Sequence, residues 1–196
     1  RPSGGLATLI HRRFVPHYTV IDVSDRFIAV TVGDFFIFNV YAPCEGTPDR
    51  LSVYCELLND IRHVCAQHAH CKVVIAGDFN VDLVKSGKSA AKAELCSFIG
   101  DCKLHSAYEL HPNTNFVSYD NSALGHTSLL DYVFVTNLTI VSDIYIVEPE
   151  LTYSDHLPVV CLLKSSAISS SFTCNASPRD NYAASLRWDR ADLSDY

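Results

Sequence analysis

Apolar and polar positions in the first part of the chain follow a pattern that is typical of β-strands. β-Branched and aromatic residues fill three runs, Tyr18–Val23, Phe27–Val32 and Phe35–Tyr41, and Gly33-Asp34 separates the last two. A glycine-aspartate pair between two such runs is typical of a tight hairpin turn. The pattern therefore predicts an antiparallel meander.

Two later stretches have the three- and four-residue spacing of amphipathic helices. The first follows Thr47 and Pro48, which suit a helix cap and a first helical position. Its predicted core stripe is Leu51, Tyr54, Leu58, Ile61 and Cys65. The second predicted helix covers residues 89–99.

Continuous apolar runs indicate further strands. Residues 72–77 form a run that is too short and too apolar for a surface element, so we predict a strand buried on both faces. Residues 127–137, 139–148 and 157–163 form three more strand-like runs. Because helices fall between β-rich blocks, we expect an α/β (α+β) fold of two sheets flanked by helices.

Composition narrows the class of protein. Hydrophobic residues make up 48% and charged residues 19% of the 196 residues, as in globular domains. The net charge of −7 argues against a broad basic surface for nucleic acid, so any such activity must be local and metal-assisted. The eight cysteines are scattered through apolar stretches, and we interpret them as reduced.

Neither a membrane span nor a signal-peptide pattern is evident in the sequence. We therefore expect an intracellular protein, in the cytoplasm or nucleus, with no membrane partner, and a monomer.

Residues 165–178 are rich in Ser, Ala and Asn without periodicity, which is typical of a linker. We divide the chain into a domain at 1–164, a linker at 165–181 and a further segment at 182–196. Asn175 matches a glycosylation acceptor, which we expect to be unmodified.

Polar residues follow, precede or interrupt apolar runs at three places in the chain. Asp78 and Asn80 come directly after the buried run, two residues apart, so both can project from one rim of a sheet. Asp155 and His156 precede the run at 157–163. Each pair could instead only stabilise a turn. Asp131 lies within an apolar run, where a charge is costly unless paired, and His156 is its natural partner.

Two other patterns suggest different chemistry. His68, His70, Cys65 and Cys71 could hold zinc, but no second ligand cluster is evident, and we prefer histidines at a helix C-terminus. The segment 82–89 contains Gly-Lys-Ser but lacks the earlier glycine of a phosphate-binding loop. We interpret it as a surface loop that could face substrate.

Four motifs together resemble the endonuclease/exonuclease/phosphatase family. They are Val-Tyr-Ala-Pro at 40–43, Gly-Asp-Phe-Asn at 77–80, Ser-Leu-Leu-Asp-Tyr at 128–132 and Ser-Asp-His-Leu-Pro at 154–158. The resemblance is closest to the endonuclease domain of LINE-type non-LTR retrotransposons, and it implies a four-layer, DNase I-like sandwich. Residues 187–193 are similar to the connector between endonuclease and reverse transcriptase in such polyproteins.

The resemblance also implies roles for individual residues. Asp78 would orient or deprotonate the attacking water, Asn80 would donate a hydrogen bond to the phosphoryl oxygen, and Tyr41 would offer a phenolic donor. His156 would contact the phosphate, held by Asp131, and Asp155 would help to hold Mg²⁺ or Mn²⁺. The implied reaction is metal-dependent hydrolysis of a DNA phosphodiester.

Some family features have no counterpart in this sequence. Family members place an Asn and a metal-ligating Glu on strands before the stretch that here is Gly4-Gly5. We therefore expect a domain lacking its first strands, with a sheet edge unpaired and weak activity in isolation. A phosphatase acting on a small phosphoester and a catalytically inert remnant or binding module remain as alternatives. Trp188 is the only Trp, so the Trp expected before Asp131 in phosphoinositide phosphatases is absent.

Overall fold

The computed structural model describes residues 5–68, 71–121, 125–148 and 154–164. Ten strands and two α-helices follow one another, with short 3₁₀ helices at Arg12–His17, Ala107–Leu110 and Leu138–Ile140. The helices are α1 (Arg50–Ala66) and α2 (Ala90–Asp101). The strands are β1 (Tyr18–Val23), β2 (Phe27–Val32), β3 (Phe35–Tyr41), β4 (Lys72–Asp78), β5 (His105–Ser106), β6 (Tyr119–Asn121), β7 (His126–Ser128), β8 (Asp131–Val135), β9 (Val141–Ile146) and β10 (Val159–Leu163).

Six strands form the main sheet, in the order β1-β2-β3-β4-β8-β5. β3 and β4 are parallel and are connected through α1, whereas the other neighbours are antiparallel. Two parallel strands end at the same edge of a sheet. An antiparallel neighbour begins at that edge. The ends of β3 and β4 and the start of β8 therefore meet.

The other four strands form two small sheets. β9 pairs with β10, and β6 pairs with β7.

Helix α1 shares one hydrophobic core with this sheet. Alternate residues of β3, Phe36 and Phe38, are fully buried, as are Tyr54 and Ile61 of α1. The Tyr54 hydroxyl donates to the Phe79 carbonyl at 3.0 Å. This bond fixes α1 against the segment that leaves β4, next to the sheet edge where the strand ends meet.

Several sequence predictions are confirmed. β1, β2 and β3 form the expected meander, and the two-residue turn Gly33-Asp34 joins Val32 to Phe35 across the register. α2 begins where expected, because the Ser89 hydroxyl accepts a hydrogen bond from the Lys92 amide at 3.1 Å.

Within the described ranges, no helix has the length and apolar character needed to span a bilayer.

The predicted start of α1, with Thr47 as the cap and Pro48 as the first helical residue, is wrong. The helix begins at Arg50, after Asp49 in a left-handed conformation. The Thr47 amide donates to Cys44 and the Arg50 amide to Thr47, so this segment forms its own turns before the helix. Leu51 is consequently 44% exposed, and the core positions on α1 include Leu57 and Val64, which lay outside the predicted stripe.

The run at 127–137 is not one strand. β7 ends at Ser128 and β8 begins at Asp131, with Leu129 and Leu130 between them. The Leu130 carbonyl accepts from the Phe79 amide at 2.9 Å, which ties the break to the end of β4. Asp131 therefore begins a strand rather than interrupting one.

Some predictions concern the chain outside the described residues. The linker at 165–181, the segment at 182–196, Asn175 and Cys174 all lie there. The seven cysteines in the described ranges form no disulfide with one another.

Gly77 is required where β3 and β4 approach. A Cβ at this position would lie 2.0 Å from the Val40 carbonyl oxygen, and Gly77 has a φ of +142°. Gly87 has nearly the same φ, +143°, but a Cβ there would meet nothing within 4 Å. Substituting alanine at each of these two glycines therefore distinguishes the cost of backbone strain from the cost of a steric clash.

We predict that Gly77→Ala lowers the free energy of unfolding by about 4 kcal/mol or more, since backbone atoms of a paired strand must move. Gly87→Ala should cost only about 1–2 kcal/mol, from backbone strain alone. Urea unfolding of both variants measures the difference. Equal losses would show that the clash with Val40 is relieved easily.

Candidate active site

Three side chains stand in a row across the edge of the main sheet. Tyr41 ends β3 opposite Asp78, which ends β4, and Asp78 is directly opposite Asp131 at the start of β8. Residues directly opposite on neighbouring strands project from the same face and come within about 5.5 Å at Cβ. Strand register alone therefore brings a phenol and two carboxylates together.

His156 joins this row from the loop before β10. Its Nδ1 lies 2.8 Å from Asp131 Oδ2, and its Nε2 lies 4.0 Å from Asp78 Oδ2. A bridge between Tyr119 and His156 fixes the backbone, and the two rings are in edge contact at 5.2 Å. The pairing of Asp131 with His156, expected from sequence, is present, although both side chains are only partly buried, at 19% and 31% exposure.

Ser118 holds the two motifs of this pair together and was missed by the sequence analysis. Its side chain is fully buried, and its hydroxyl accepts from the amides of Leu130 and Asp131, both at 3.0 Å. Its carbonyl accepts from the Leu157 amide at 2.7 Å. One residue thus sets the start of β8 and the residue after His156. A lone serine before a short strand carries no sequence signal for such a role.

Asn80 organises Asp78. It has a left-handed conformation, φ 50°, which Asn tolerates better than most residues. Its amide N–H donates to Asp78 Oδ1 and its Nδ2 to Asp78 Oδ2, both at 2.8 Å. Nδ2 also donates to the Ala42 carbonyl at 3.0 Å. Both side-chain amide hydrogens therefore have acceptors, so a bond from Asn80 to a phosphate requires the exchange of one of them.

Arg50 supports this turn and was also missed by the sequence analysis. The guanidinium donates to the carbonyl of Asn80 at 2.6 Å and to that of Pro43 at 3.0 Å. Glu45 lies 3.8 Å away on the exposed side. Arg50 therefore ties the segment after β3 to the segment after β4, on either side of Asp78.

The electrostatics of the row follow from burial and proximity. Burial raises the pKa of Asp78 to about 6, and the Asp131 carboxylate adds to this, while hydrogen bonds from Asn80 oppose it. The hydrogen bond to Asp131 raises the pKa of His156 above its usual range, although burial opposes this. The row therefore combines a carboxylate of increased basicity with an imidazole that is stabilised as its cation.

The row lines a cavity of about 1060 Å³. Tyr41 and Asp155 also line this cavity, so all six residues singled out from sequence lie around one space. Asp78, Asp131 and His156 each offer a ligand atom within 4.8 Å of the others, an arrangement that could hold a metal ion. Asp155 is outside that triplet, and its role as a metal ligand stays a prediction.

The alternative sites differ in outcome. His68 Nδ1 lies 3.2 Å from the Val64 carbonyl, and its ring contacts Phe36 at 4.4 Å, as expected for a histidine at a helix C-terminus. His70 lies outside the described residues. The loop with Gly-Lys-Ser is exposed, as predicted, and lines the cavity.

A family model for endonuclease-reverse transcriptase matches residues 35–160. The chain belongs to the endonuclease-reverse transcriptase family. The match spans all four motifs, from β3 to β10, and confirms the resemblance to endonuclease/exonuclease/phosphatase proteins. No curated protein matches the chain significantly.

Solved structures of similar fold include two DNA-processing proteins. One is the 3′ phosphatase NExo from Neisseria bound to a product DNA hairpin, with a TM-score of 0.60 and 19% identity over 76% of this chain and 70% of that chain. The other is an AP endonuclease from Archaeoglobus fulgidus, also with a TM-score of 0.60 and 19% identity, over 72% and 66%. At this identity the likeness concerns the fold, and the predicted DNase I-like class is confirmed.

We predict that Asp131→Asn lowers the pKa of His156, because it removes the negative charge that favours the imidazolium form and replaces a charge-assisted hydrogen bond with a weaker neutral one. An NMR titration of the imidazole in the presence of chelator measures this. Asp101→Asn, which changes an exposed carboxylate paired with Arg62, is the control and should leave His156 unchanged. An unshifted pKa in Asp131→Asn would contradict the pairing.

We also predict that Ser118→Ala destabilises the domain by about 2 kcal/mol or more, since it removes the acceptor of two backbone amides next to the site. Ser97→Ala, on the exposed face of α2, should cost less than about 0.5 kcal/mol. Denaturant unfolding compares the two. Similar small losses would show that water replaces the Ser118 hydroxyl.

Proposed function

We propose that this domain hydrolyses DNA phosphodiester bonds in a metal-dependent reaction, as the endonuclease part of a retrotransposon-type polyprotein that includes reverse transcriptase. The observation that carries the proposal is the Asp78, Asp131 and His156 cluster, open to a large cavity in a chain of the endonuclease-reverse transcriptase family. Two carboxylates and a held imidazole are suited to a reaction in which negative charge develops on a phosphate and a proton leaves water.

Asp78 is the proposed base. Its raised pKa, about 6, brings its proton affinity close to that required near neutral pH. Asn80 holds both of its oxygens, so the carboxylate keeps one orientation while lone pairs remain for a water molecule. In this proposal Asn80 acts chiefly by positioning Asp78, and its contact with the phosphoryl oxygen is secondary.

His156 is the proposed phosphate-binding group. Asp131 holds its Nδ1, so Nε2 is directed toward Asp78 and the space where a phosphate would lie. As a cation it would donate a charge-assisted hydrogen bond to a phosphate oxygen. Tyr41, at the adjacent strand end, is the proposed second donor, from its phenol.

The two carboxylates of this cluster, Asp78 and Asp131, fit a divalent cation, which we propose to be Mg²⁺ or Mn²⁺. Carboxylate oxygens are the ligands that Mg²⁺ prefers, usually one or two with water and substrate phosphate. When bound, the cation would offset charge on the phosphate. Hydrogen bonds from His156 and Asn80 already occupy part of the oxygen lone pairs of this set, so we expect binding to be weak. Asp155 is the proposed additional ligand on the cavity wall.

The proposal is tested by a plasmid-nicking assay with Mg²⁺, Mn²⁺ or EDTA. We expect slow nicking that requires the metal and falls about 100-fold or more in His156→Ala. His111→Ala is a matched control, because His111 also lies 2.8 Å from an aspartate, Asp143, but is exposed and outside the cavity. It should nick like the unmodified protein.

Two outcomes would contradict the proposal. Nicking unaffected by His156→Ala would place the activity elsewhere, and absence of metal-dependent nicking at high protein concentration would favour the inert alternative. Release of phosphate from small phosphomonoesters without nicking would favour a phosphatase.

A further inference from the structure

The loop between β4 and α2 places positive charge on the wall of the cavity that contains the acidic row. Lys85, Lys88 and Lys92 all line the cavity that contains Asp78 and His156. The chain has only 15 Lys and Arg residues and a net charge of −7, so three lysines around one cavity are a local concentration of the minority charge. A cluster of this kind attracts anions.

Hydrogen bonds fix this loop in place. Asp82 accepts from the amides of Val84 and Lys85 at 2.9 Å through one oxygen, and from the Leu129 amide at 3.2 Å through the other. Lys85 Nζ donates to the Thr127 carbonyl and to the Ser128 hydroxyl. The loop is thus fastened to the strand that precedes β8 and keeps a set position relative to Asp131.

Lys92 and Lys88 add two more ammonium groups, and that of Lys88 is unpaired among the described residues. Lys92 Nζ donates to the Lys85 carbonyl at 2.7 Å, which closes the loop onto α2 and brings a second ammonium group to the cavity wall. Among the described residues, Lys88 Nζ has neither a hydrogen bond nor an ion pair, and the amides of residues 86–88 also donate to no described residue. These donors are available to a ligand.

The cavity is large enough for more than one phosphate group. Its volume, about 1060 Å³, is at the upper limit of sites that enclose a drug-sized molecule, roughly 300–1,000 Å³. The acidic row and the lysines of the loop both line it. A substrate with several phosphates along one strand can contact both groups of residues at once.

We propose that Lys85, Lys88 and Lys92 form a second phosphate subsite, which holds the backbone of a polynucleotide beside the phosphodiester that lies at Asp78 and His156. This inference rests on the proposed function and specifies its substrate as an extended strand rather than a small phosphoester. Lys88 and Lys92 contact phosphate, whereas Lys85 chiefly fixes the loop through Thr127 and Ser128. Such contacts are independent of base sequence.

The test is binding of a fluorescent 30-base-pair DNA duplex in EDTA, measured over a series of salt concentrations. For Lys88→Gln with Lys92→Gln, we expect weaker binding for unrelated sequences alike, and a salt dependence reduced by about one unit of slope per lysine. Lys164→Gln, which removes an exposed lysine outside the cavity, should change neither quantity.

Other results would overturn the inference. These are absence of DNA binding by the unmodified protein, a salt slope unchanged in the double variant, or an equal effect in Lys164→Gln. Saturable binding of inorganic phosphate that requires Lys88, without an effect on the DNA salt slope, would indicate a small-anion site instead.

The binding readout keeps this inference separate from the proposed hydrolysis. Lysine-dependent DNA binding without nicking would support the subsite and contradict the activity. Nicking that depends on His156, with DNA binding indifferent to the lysines, would support the activity and overturn the subsite.

Discussion

Two carboxylates face each other across β4 and β8, and much of the structure at this edge compensates for that. Like charges directly opposite in a sheet are destabilising, and Asp78 and Asp131 are fixed there by strand register. His156 lies between them, 2.8 Å from one carboxylate and 4.0 Å from the other. The imidazole therefore offsets a repulsion that the fold imposes, and the same arrangement is the basis of the proposed activity.

The surrounding residues keep that arrangement from relaxing. Gly77 allows β3 to approach β4 closely, Asn80 holds both oxygens of Asp78, and Ser118 couples the start of β8 to the loop that carries His156. Without such restraints, the two carboxylates could turn apart into the cavity. Restrained groups of raised pKa next to open space are typical of catalytic sites, and the family of the chain is consistent with that interpretation.

Sequence reasoning succeeded where the determinants are local. The Gly33-Asp34 turn, the start of α2 and the polar residues at strand ends depend on a few neighbouring residues, and four motifs in order identified the family. It failed where contacts between residues far apart in sequence determine the geometry of the site. Ser118 acts on Asp131 from 13 positions away, and Arg50 acts on Asn80 from 30 positions away, through backbone atoms that carry no residue signature. The start of α1 was wrong because turns between Cys44 and Arg50 compete with the expected cap.

The most direct test of this account is a double-mutant cycle between Asp131→Asn and His156→Gln, with the free energy of unfolding measured at pH 7 in chelator. In the unmodified protein, Asp131→Asn should destabilise, because His156 loses its partner. In the His156→Gln background, the same change should stabilise, because it relieves the repulsion from Asp78. The account predicts this reversal of sign, with a coupling on the order of 1 kcal/mol or more. A change of the same sign and size in both backgrounds would contradict it.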